Sequence, residues 1–240
     1  MKKTAKLILT SILVITLLLG AGTGIYLSDY YHADADAQAA LTSSDGYTVT
    51  VTQDMAVFSP ALPEAGFIFY PGGKVEYTAY APLMAELAKH NILCIILKMP
   101  GNLAVLDSDA ARGIVQQYPL VDRWYIGGHS LGGSMAASYL ADCHEDFSGL
   151  ILLASYSTSD ISESDLRVLS LVGTEDGVLN RKSYEKYQDN LPENTAEIYL
   201  EGGNHAFFGS YGPQEGDGKA NLSPLEQTGL TANYILEFIS

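Results

Sequence analysis

The segment Trp124-Tyr-Ile-Gly-Gly-His-Ser-Leu-Gly-Gly133 carries the most structural information in this sequence. An apolar, strand-like run ends in Gly128-His-Ser-Leu-Gly132, and a segment of small residues that favours a helix follows it. A serine in the pattern Gly-x-Ser-x-Gly between a strand and a helix is typical of a nucleophile elbow, a sharp turn that exposes the serine hydroxyl. Glycine at both flanking positions lets the two backbones approach closely. Ser130 is therefore the candidate nucleophile.

The five-residue motif needs support from its surroundings, because a chain with 23 glycines can also carry a serine in an ordinary glycine-rich loop. Eight short apolar segments predict strands, at residues 47–52, 55–59, 66–70, 92–97, 123–127, 150–154, 167–172 and 196–200. Helical patterns lie at residues 80–90, 103–118, 131–143, 181–188 and 223–239. The first two strands are predicted to form an antiparallel hairpin, and the fully apolar later ones predict parallel strands covered on both faces.

These elements predict an α/β fold: an open, mostly parallel eight-stranded sheet with helices on both faces. Only about a dozen residues, 155–166, separate the sixth and seventh strands, so we expect no cap domain there. Ligands of such sheets bind at the carboxyl ends of the strands. Polar residues stand there: Asp176 follows the seventh strand and His205 follows the eighth. Glu175 and Asp160 are alternatives for the acid.

The chain order Ser130, Asp176, His205 resembles that of the α/β-hydrolase superfamily, and the resemblance covers residues 47–240. The similarity is greatest to small capless bacterial hydrolases related to dienelactone hydrolases and carboxylesterases, to which the segment Phe208-Gly-Ser-Tyr-Gly-Pro-Gln-Glu-Gly-Asp-Gly218 also points. The resemblance implies that Ser130 is the nucleophile, His205 the general base and then acid, and Asp176 the carboxylate that orients the imidazole. Dienelactone hydrolases proper use cysteine, so their substrate does not carry over.

An oxyanion hole requires two donors. We expect the backbone N–H groups of Leu131, directly after the nucleophile, and of Gly73, in the loop after the third strand, with Lys74 as the alternative to Gly73. His129 is expected to point away from the site, and His32, His90 and His144 to be surface residues. Several aromatic side chains are candidates either to line the site or to belong to the core, namely Tyr77, Tyr80, Phe207, Phe208 and Tyr211.

The expected reaction is cleavage of a small-molecule carboxylic ester through an acyl-enzyme, without a metal or an organic cofactor. Two alternatives stay open: an amidase or peptidase acting on cell-wall or peptide substrates, and a non-catalytic hydrolase-like domain that binds a partner. The net charge of −15 argues against nucleic acid as a ligand, because phosphate would be repelled. The sequence leaves the oligomeric state open.

The amino terminus differs from the rest of the chain. Lys2, Lys3 and Lys6 precede an apolar segment, and no Asp or Glu occurs before Asp29. The 21 residues from Leu7 to Leu27 suffice, at about 1.5 Å per residue, to cross a hydrocarbon core of about 30 Å. We therefore expect residues 1–27 to be a signal anchor, residues 28–45 a juxtamembrane stalk, and residues 46–240 the α/β-hydrolase domain.

The basic residues before the span predict a single-pass protein of the cell membrane with its domain on the extracytoplasmic side. The run from Leu7 to Leu19, which is apolar except for Thr10, Ser11 and Thr16, also has the length of a signal-peptide core. Because Ala33-Asp-Ala35 or Ala35-Asp-Ala37 fits a cleavage site, secretion after cleavage is the alternative. Outside the cell Cys94 and Cys143 could form a disulfide, although the apolar neighbours of Cys94 favour a pair of core thiols.

Overall fold

The centre of the protein is a sheet built from the most apolar segments of the chain. Successive side chains of a strand point to opposite faces, so a strand such as Ile92–Leu97, in which every residue is buried, must be covered on both sides. The eight strands are β1 (Tyr47–Val51), β2 (Met55–Pro60), β3 (Ala65–Tyr70), β4 (Ile92–Leu97), β5 (Trp124–His129), β6 (Gly149–Leu153), β7 (Arg167–Gly173) and β8 (Ala196–Leu200). Their order in the sheet is β1-β2-β4-β3-β5-β6-β7-β8. The β1–β2 and β2–β4 pairs are antiparallel, and all others are parallel.

Helices cover both faces of the sheet. The α-helices are α1 (Ala35–Ala40), α2 (Ala81–Ala88), α3 (Leu131–Asp142), α4 (Arg181–Lys186) and α5 (Pro224–Ile239). Helices α2 and α5 pack on one face, where Phe67, Phe69 and Ile151 belong to the same core cluster. Helix α3 packs on the other face with Ile68, Ile126 and Leu152. Because β3, β5, β6, β7 and β8 run parallel to one another, their carboxyl ends lie along one edge of the sheet.

This computed structural model describes residues 13, 16, 17, 20, 22, 24 and 26 and the continuous range 28–240. The predicted signal anchor, residues 1–27, therefore lies largely outside the described residues. Within the described part of the chain, no helix combines the length and the apolar character that a membrane span requires. A compact unit begins at Tyr31 and continues to Ser240.

All eight predicted strands are confirmed, with ends that differ by at most two residues. The helix predicted at residues 103–118 is wrong. This segment contains two short 3-10 turns, Ala104–Leu106 and Val115–Gln117, and Gly113 between them has a φ of 77°. A left-handed residue interrupts an α-helix, and the short polar side chains of Asp107, Ser108 and Asp109 favour turns.

Residues 31–40, which belong to the predicted stalk, pack against the domain. The N–H of Tyr31 donates to the carbonyl of Lys74, and the N–H of Glu76 donates to the carbonyl of Tyr31. Helix α1, with an N-cap at Asp34 and a fully buried Ala37, packs on the core formed with α2. The alternating Ala and Asp residues do not indicate the surface on which this segment packs. That surface is formed by residues of the same chain more than 30 positions away.

Candidate active site

Ser130 occupies the turn between β5 and α3. Its φ of 52° and ψ of −122° lie in a region that side-chain-bearing residues seldom adopt. The turn is tight: a Cβ at position 132 would overlap the carbonyl oxygens of Tyr70 and Pro71, and one at position 128 would lie 2.5 Å from the carbonyl oxygen of Tyr70. Both flanking positions therefore require glycine, and Ser130 projects beyond the sheet edge.

The Ser130 turn opens into a pocket of about 250 Å³. It is lined by Ser130, Leu131, Ser134, Ala154, Ser155, Tyr156, Val178, Leu179, Asn180 and His205. The predicted nucleophile and the predicted base thus border the same cavity. None of the five aromatic candidates lines this pocket; Tyr77, Tyr80, Phe208 and Tyr211 are buried members of the core cluster on the α2 face, and Phe207 packs against it. The segment between β6 and β7 contains no helix or strand among its residues, 154–166.

His205 follows β8 and is almost completely buried, with 1% of its surface exposed. Its Nδ1 lies 2.9 Å from Oδ2 of Asp176, in the loop that follows β7. The other carboxylate oxygen of Asp176 accepts the N–H groups of Val178 and Leu179 at 2.9 and 2.8 Å. Burial by itself raises the pKa of Asp176, but the hydrogen bond and charge of His205 and these two N–H groups lower it below its ordinary value. Asp176 is therefore held as a carboxylate.

The alternatives for the acid are placed elsewhere. The carboxylate of Glu175 accepts the hydroxyl of Thr174 at 3.3 Å. Asp160 is exposed and accepts the N–H and the hydroxyl of Ser162. Of these three acids, Asp176 is the one hydrogen-bonded to His205.

The two expected oxyanion donors are neighbours. A Cβ at position 73 would lie 3.0 Å from Cδ2 and 3.4 Å from Cβ of Leu131, so Gly73 packs directly against the residue after Ser130. The N–H of Leu131 belongs to the first turn of α3, where amides have no acceptor within the helix. The N–H of Lys74 donates to the carbonyl of Asn102 at 2.8 Å. Gly73 therefore fits a second donor better than Lys74 does.

His129 does not line the pocket, but its buried ring packs against that of His205. It is 1% exposed, and its ring centroid is 4.5 Å from that of His205. Its Nδ1 is 2.8 Å from the hydroxyl of Tyr80, which accepts the N–H of Gly72 at 3.0 Å, whereas its buried Nε2 has no well-formed hydrogen bond. Burial and the charge of a protonated His205 lower the pKa of His129 well below its ordinary value, against an opposing effect of the His205 backbone. His129 is therefore neutral.

The two cysteines do not form a disulfide. Cys94 is buried in β4 and Cys143 is partly buried beyond α3. Burial raises the pKa of the Cys94 thiol well above its ordinary value, so this thiol is a core group. In the part of the chain that the structure describes, no cluster of three His, Cys, Asp or Glu side chains has the arrangement of a metal site.

An α/β sheet with helices on both faces, a serine on the turn after β5 and an Asp–His pair after β7 and β8 together define the class of α/β hydrolases. Residues 66–229 match the sequence profile of the alpha/beta hydrolase family, and the chain belongs to that family. The resemblance drawn from the sequence is thereby confirmed.

Two solved structures share this fold. A predicted CIB-like hydrolase from Thermoplasma acidophilum aligns with a TM-score of 0.57 and 14% identity, over 80% of this chain and 96% of that one. TT1662 from Thermus thermophilus aligns with a TM-score of 0.59 and 14% identity, over 81% of this chain and 98% of that one. A comparison with curated proteins gives no significant match. Identity at this level establishes the fold alone.

Proposed function

We propose that the protein is a serine hydrolase that cleaves small carboxylic esters through an acyl-enzyme on Ser130. One observation carries the proposal: Ser130, at a φ of 52°, borders the same pocket as His205, and Nδ1 of His205 is 2.9 Å from Asp176. Acyl transfer requires a serine, an imidazole and a carboxylate that orients the imidazole. The strained Ser130, His205 and the buried Asp176 would supply these three groups.

In the proposed reaction, Oγ of Ser130 attacks the ester carbonyl carbon while His205 accepts the hydroxyl proton. The carbonyl oxygen becomes an oxyanion, which the N–H groups of Gly73 and Leu131 stabilise. Collapse of the intermediate expels the alcohol, which takes the proton from His205. Water then attacks the acyl-enzyme with His205 again as base. The bond to Oγ of Ser130 breaks, His205 returns the proton to Oγ, and the carboxylic acid leaves. Asp176 fixes the tautomer of His205 and stabilises its protonated form.

The lining of the pocket supports a small, apolar acyl group. A volume of about 250 Å³ is below the range of roughly 300–1,000 Å³ that is usual for sites of drug-sized ligands. The hydroxyl of Ser134 donates to the carbonyl of Tyr156, and that of Ser155 donates to the carbonyl of Ser130, each at 2.6 Å. With these donors occupied, the apolar residues Leu131, Ala154, Val178 and Leu179 supply much of the remaining lining, beside Tyr156 and Asn180. We therefore propose a preference for short acyl chains.

Labelling with a fluorophosphonate tests the nucleophile. We expect the wild type and Ser164→Ala, a serine outside this pocket, to be labelled, and Ser130→Ala to be unlabelled. A wild-type protein that resists labelling would instead support a non-catalytic binding domain. Labelling that persists in Ser130→Ala would exclude Ser130 as the nucleophile.

A graded series of p-nitrophenyl esters tests the substrate class. We expect kcat/KM to be highest for acetate or butyrate and to fall for octanoate. A matched p-nitroanilide separates the alternatives: turnover of the anilide comparable to that of the ester would favour an amidase or peptidase.

We further propose that the protein is exported and tethered to the membrane by its amino-terminal segment. Support comes from Lys2, Lys3 and Lys6 before an apolar run of 13 residues, and from the absence of acidic residues before Asp29. Fractionation of cells that express the full chain should recover it with membranes, with the domain accessible to external protease. A shortened form in the medium would support cleavage instead, and full-length protein in the soluble fraction would contradict tethering.

A further inference from the structure

A second carboxylate, Asp217, joins the loop of the acid to the loop of the base. Oδ1 of Asp217 accepts the N–H of Gly177 at 3.1 Å and that of His205 at 3.3 Å, and Oδ2 accepts the N–H of Ala206 at 2.8 Å. The N–H of the adjacent Gly218 also donates to Oδ1, at 2.8 Å. One side chain thus binds the residue after Asp176 as well as His205 and its neighbour.

The segment around Asp217 is pressed against the acid loop. A Cβ at position 177 would lie 2.6 Å from the carbonyl oxygen of Gly216, and one at position 218 would overlap the carbonyl oxygen of Glu175. From the side of the base loop, Nδ2 of Asn204 donates to the carbonyl of Gly218 at 3.0 Å. The close contact of three backbone segments places the carboxylate of Asp217 between the two loops.

The Asp176–His205 hydrogen bond depends on the relative position of two loops that follow different strands. Hydrogen bonds from backbone N–H groups to a carboxylate are about twice as strong as those between neutral groups. Two other hydrogen bonds join these loops nearer the strands, from the N–H of Glu175 to the carbonyl of Gly203 and from the N–H of Gly202 to the hydroxyl of Thr174. Asp217 joins them at the site itself, through the N–H groups of Gly177, His205 and Ala206. A misplacement of about 1 Å in a catalytic group can cost about 10²-fold in rate.

We propose that Asp217 is a positioning residue that fixes the loop of Asp176 relative to the loop of His205, so that the imidazole is held in register for proton transfer. The effect on catalysis rests on the serine hydrolase function proposed above. The effect on the Asp176–His205 hydrogen bond is independent of that function.

Three variants in the full-length protein test the role. Asp217→Asn removes the charge and one acceptor oxygen. Asp217→Glu keeps both but moves them by one methylene. Glu215→Gln is the matched control, because Glu215 is exposed in the same segment and its own N–H, rather than its side chain, donates to Tyr31. Each variant is assayed for kcat and KM with p-nitrophenyl acetate, for thermal unfolding, and by proton NMR for the low-field resonance of the proton between His205 and Asp176.

We expect Asp217→Asn to lower kcat about ten- to a hundredfold with KM changed less than threefold, and to shift or broaden the low-field resonance while the protein stays folded. Glu215→Gln should match the wild type in all three measurements. A purely structural role predicts lower thermal stability without a selective loss of kcat or of this resonance. Wild-type kcat and an unchanged resonance in a folded Asp217→Asn protein would overturn the proposal.

If Asp217→Asn does not fold, the Asp217→Glu variant tests the positioning role. A folded Asp217→Glu protein should show at least fivefold lower kcat, and wild-type values for both readouts would overturn the positioning role. The NMR measurement also separates the two proposals. If the wild type hydrolyses no ester, a resonance altered in Asp217→Asn still supports the positioning role while the proposed function fails.

Discussion

The carboxylate of Asp176 uses both oxygens. One binds His205, and the other accepts the N–H groups of Val178 and Leu179, so the side chain cannot rotate without losing hydrogen bonds. The pKa of Asp176 is lowered, which means that the folded protein favours its ionised form. This contribution to stability is present above the unfolded value of about 3.8 and is lost as the pH falls through the lower folded value.

Replacement of Asp176 by Asn tests this residue through kinetics. We expect Asp176→Asn to lower kcat by roughly 10⁴-fold, because an amide can donate to Nδ1 and stabilise the unproductive tautomer of His205. Glu175→Gln, a change of the same chemistry at the adjacent position, should leave kcat within a factor of about three. Similar losses in both variants would show that Asp176 is not the acid.

The free energy of unfolding also depends on pH through His129, in a range above that of Asp176. Its pKa is lowered well below the ordinary value of about 6.5, so the unfolded chain binds a proton that the folded protein excludes. The free energy of unfolding should therefore decrease as the pH falls below about 6.5, with a slope of up to about 1.4 kcal/mol per pH unit from this residue.

Urea unfolding at several pH values between 5 and 8 measures that slope. In His129→Asn the amide oxygen can still accept the Tyr80 hydroxyl but does not titrate. We expect this variant to be less stable at pH 8 and to lose less stability on acidification than the wild type. Parallel curves for the two proteins would show that His129 is not kept neutral by folding.

Among the elements, the turn between β5 and α3 is tightly constrained by neighbouring backbone. At position 132, neither carbonyl that a Cβ would overlap can move freely, because both belong to the end of β3 and the loop that follows. The constraint places the amino end of α3 against the loop of Gly73, where the proposed oxyanion donors lie. The glycines are needed here because the backbones approach closely and not because of their own φ angles. In this turn, only Ser130 has an unusual φ.

The effect of a Cβ can be compared at two helical glycines. Gly132→Ala should destabilise the protein by roughly 2–4 kcal/mol and reduce fluorophosphonate labelling, because the turn must open. Gly229→Ala is the control: a Cβ there meets nothing within 4 Å in α5, and alanine favours a helix by about 1 kcal/mol. We expect this second variant to be slightly more stable than the wild type in urea unfolding. Equal destabilisation by both changes would contradict the steric argument.

At the scale of the whole molecule, the segment that begins at Tyr31 connects two parts of the site. Its backbone pairs with the residues after Gly73, and the N–H of Asp34 donates to the carbonyl of Ser210 beyond His205. The Tyr31 ring lies 5.5 Å from that of Tyr211, and the N–H of Glu215 donates to the Tyr31 hydroxyl. Residues before β1 therefore stabilise both the proposed oxyanion loop and the segment after the base.

Truncation tests this connection. A chain that begins at residue 46 should have a melting temperature lower by roughly 5–15 °C than a chain that begins at residue 28, since it loses α1 and the buried Ala37. Its kcat for p-nitrophenyl acetate should also fall, by at least fivefold. Identical melting temperatures and rates would show that the segment is a passive linker.

The strands, the family and the candidate site residues could be predicted from the sequence. Apolar periodicity is local, so Ile92–Leu97 and Gly149–Leu153 are recognisable from their own residues, and the pattern around Ser130 identifies a turn wherever it lies. The helix expected at residues 103–118 was wrong because backbone preference at Gly113 outweighed an irregular apolar pattern.

Which residues come into contact follows from the folded structure alone. His205 is paired with Asp176 rather than with Glu175, the N–H of Lys74 donates to Asn102, and His129 is buried beside His205. Residues 31–40 also pack on the domain, and Asp217 lies between two loops. These contacts join residues that are far apart in the chain. The order of strands in the sheet brings them together, and no local sequence pattern encodes that order.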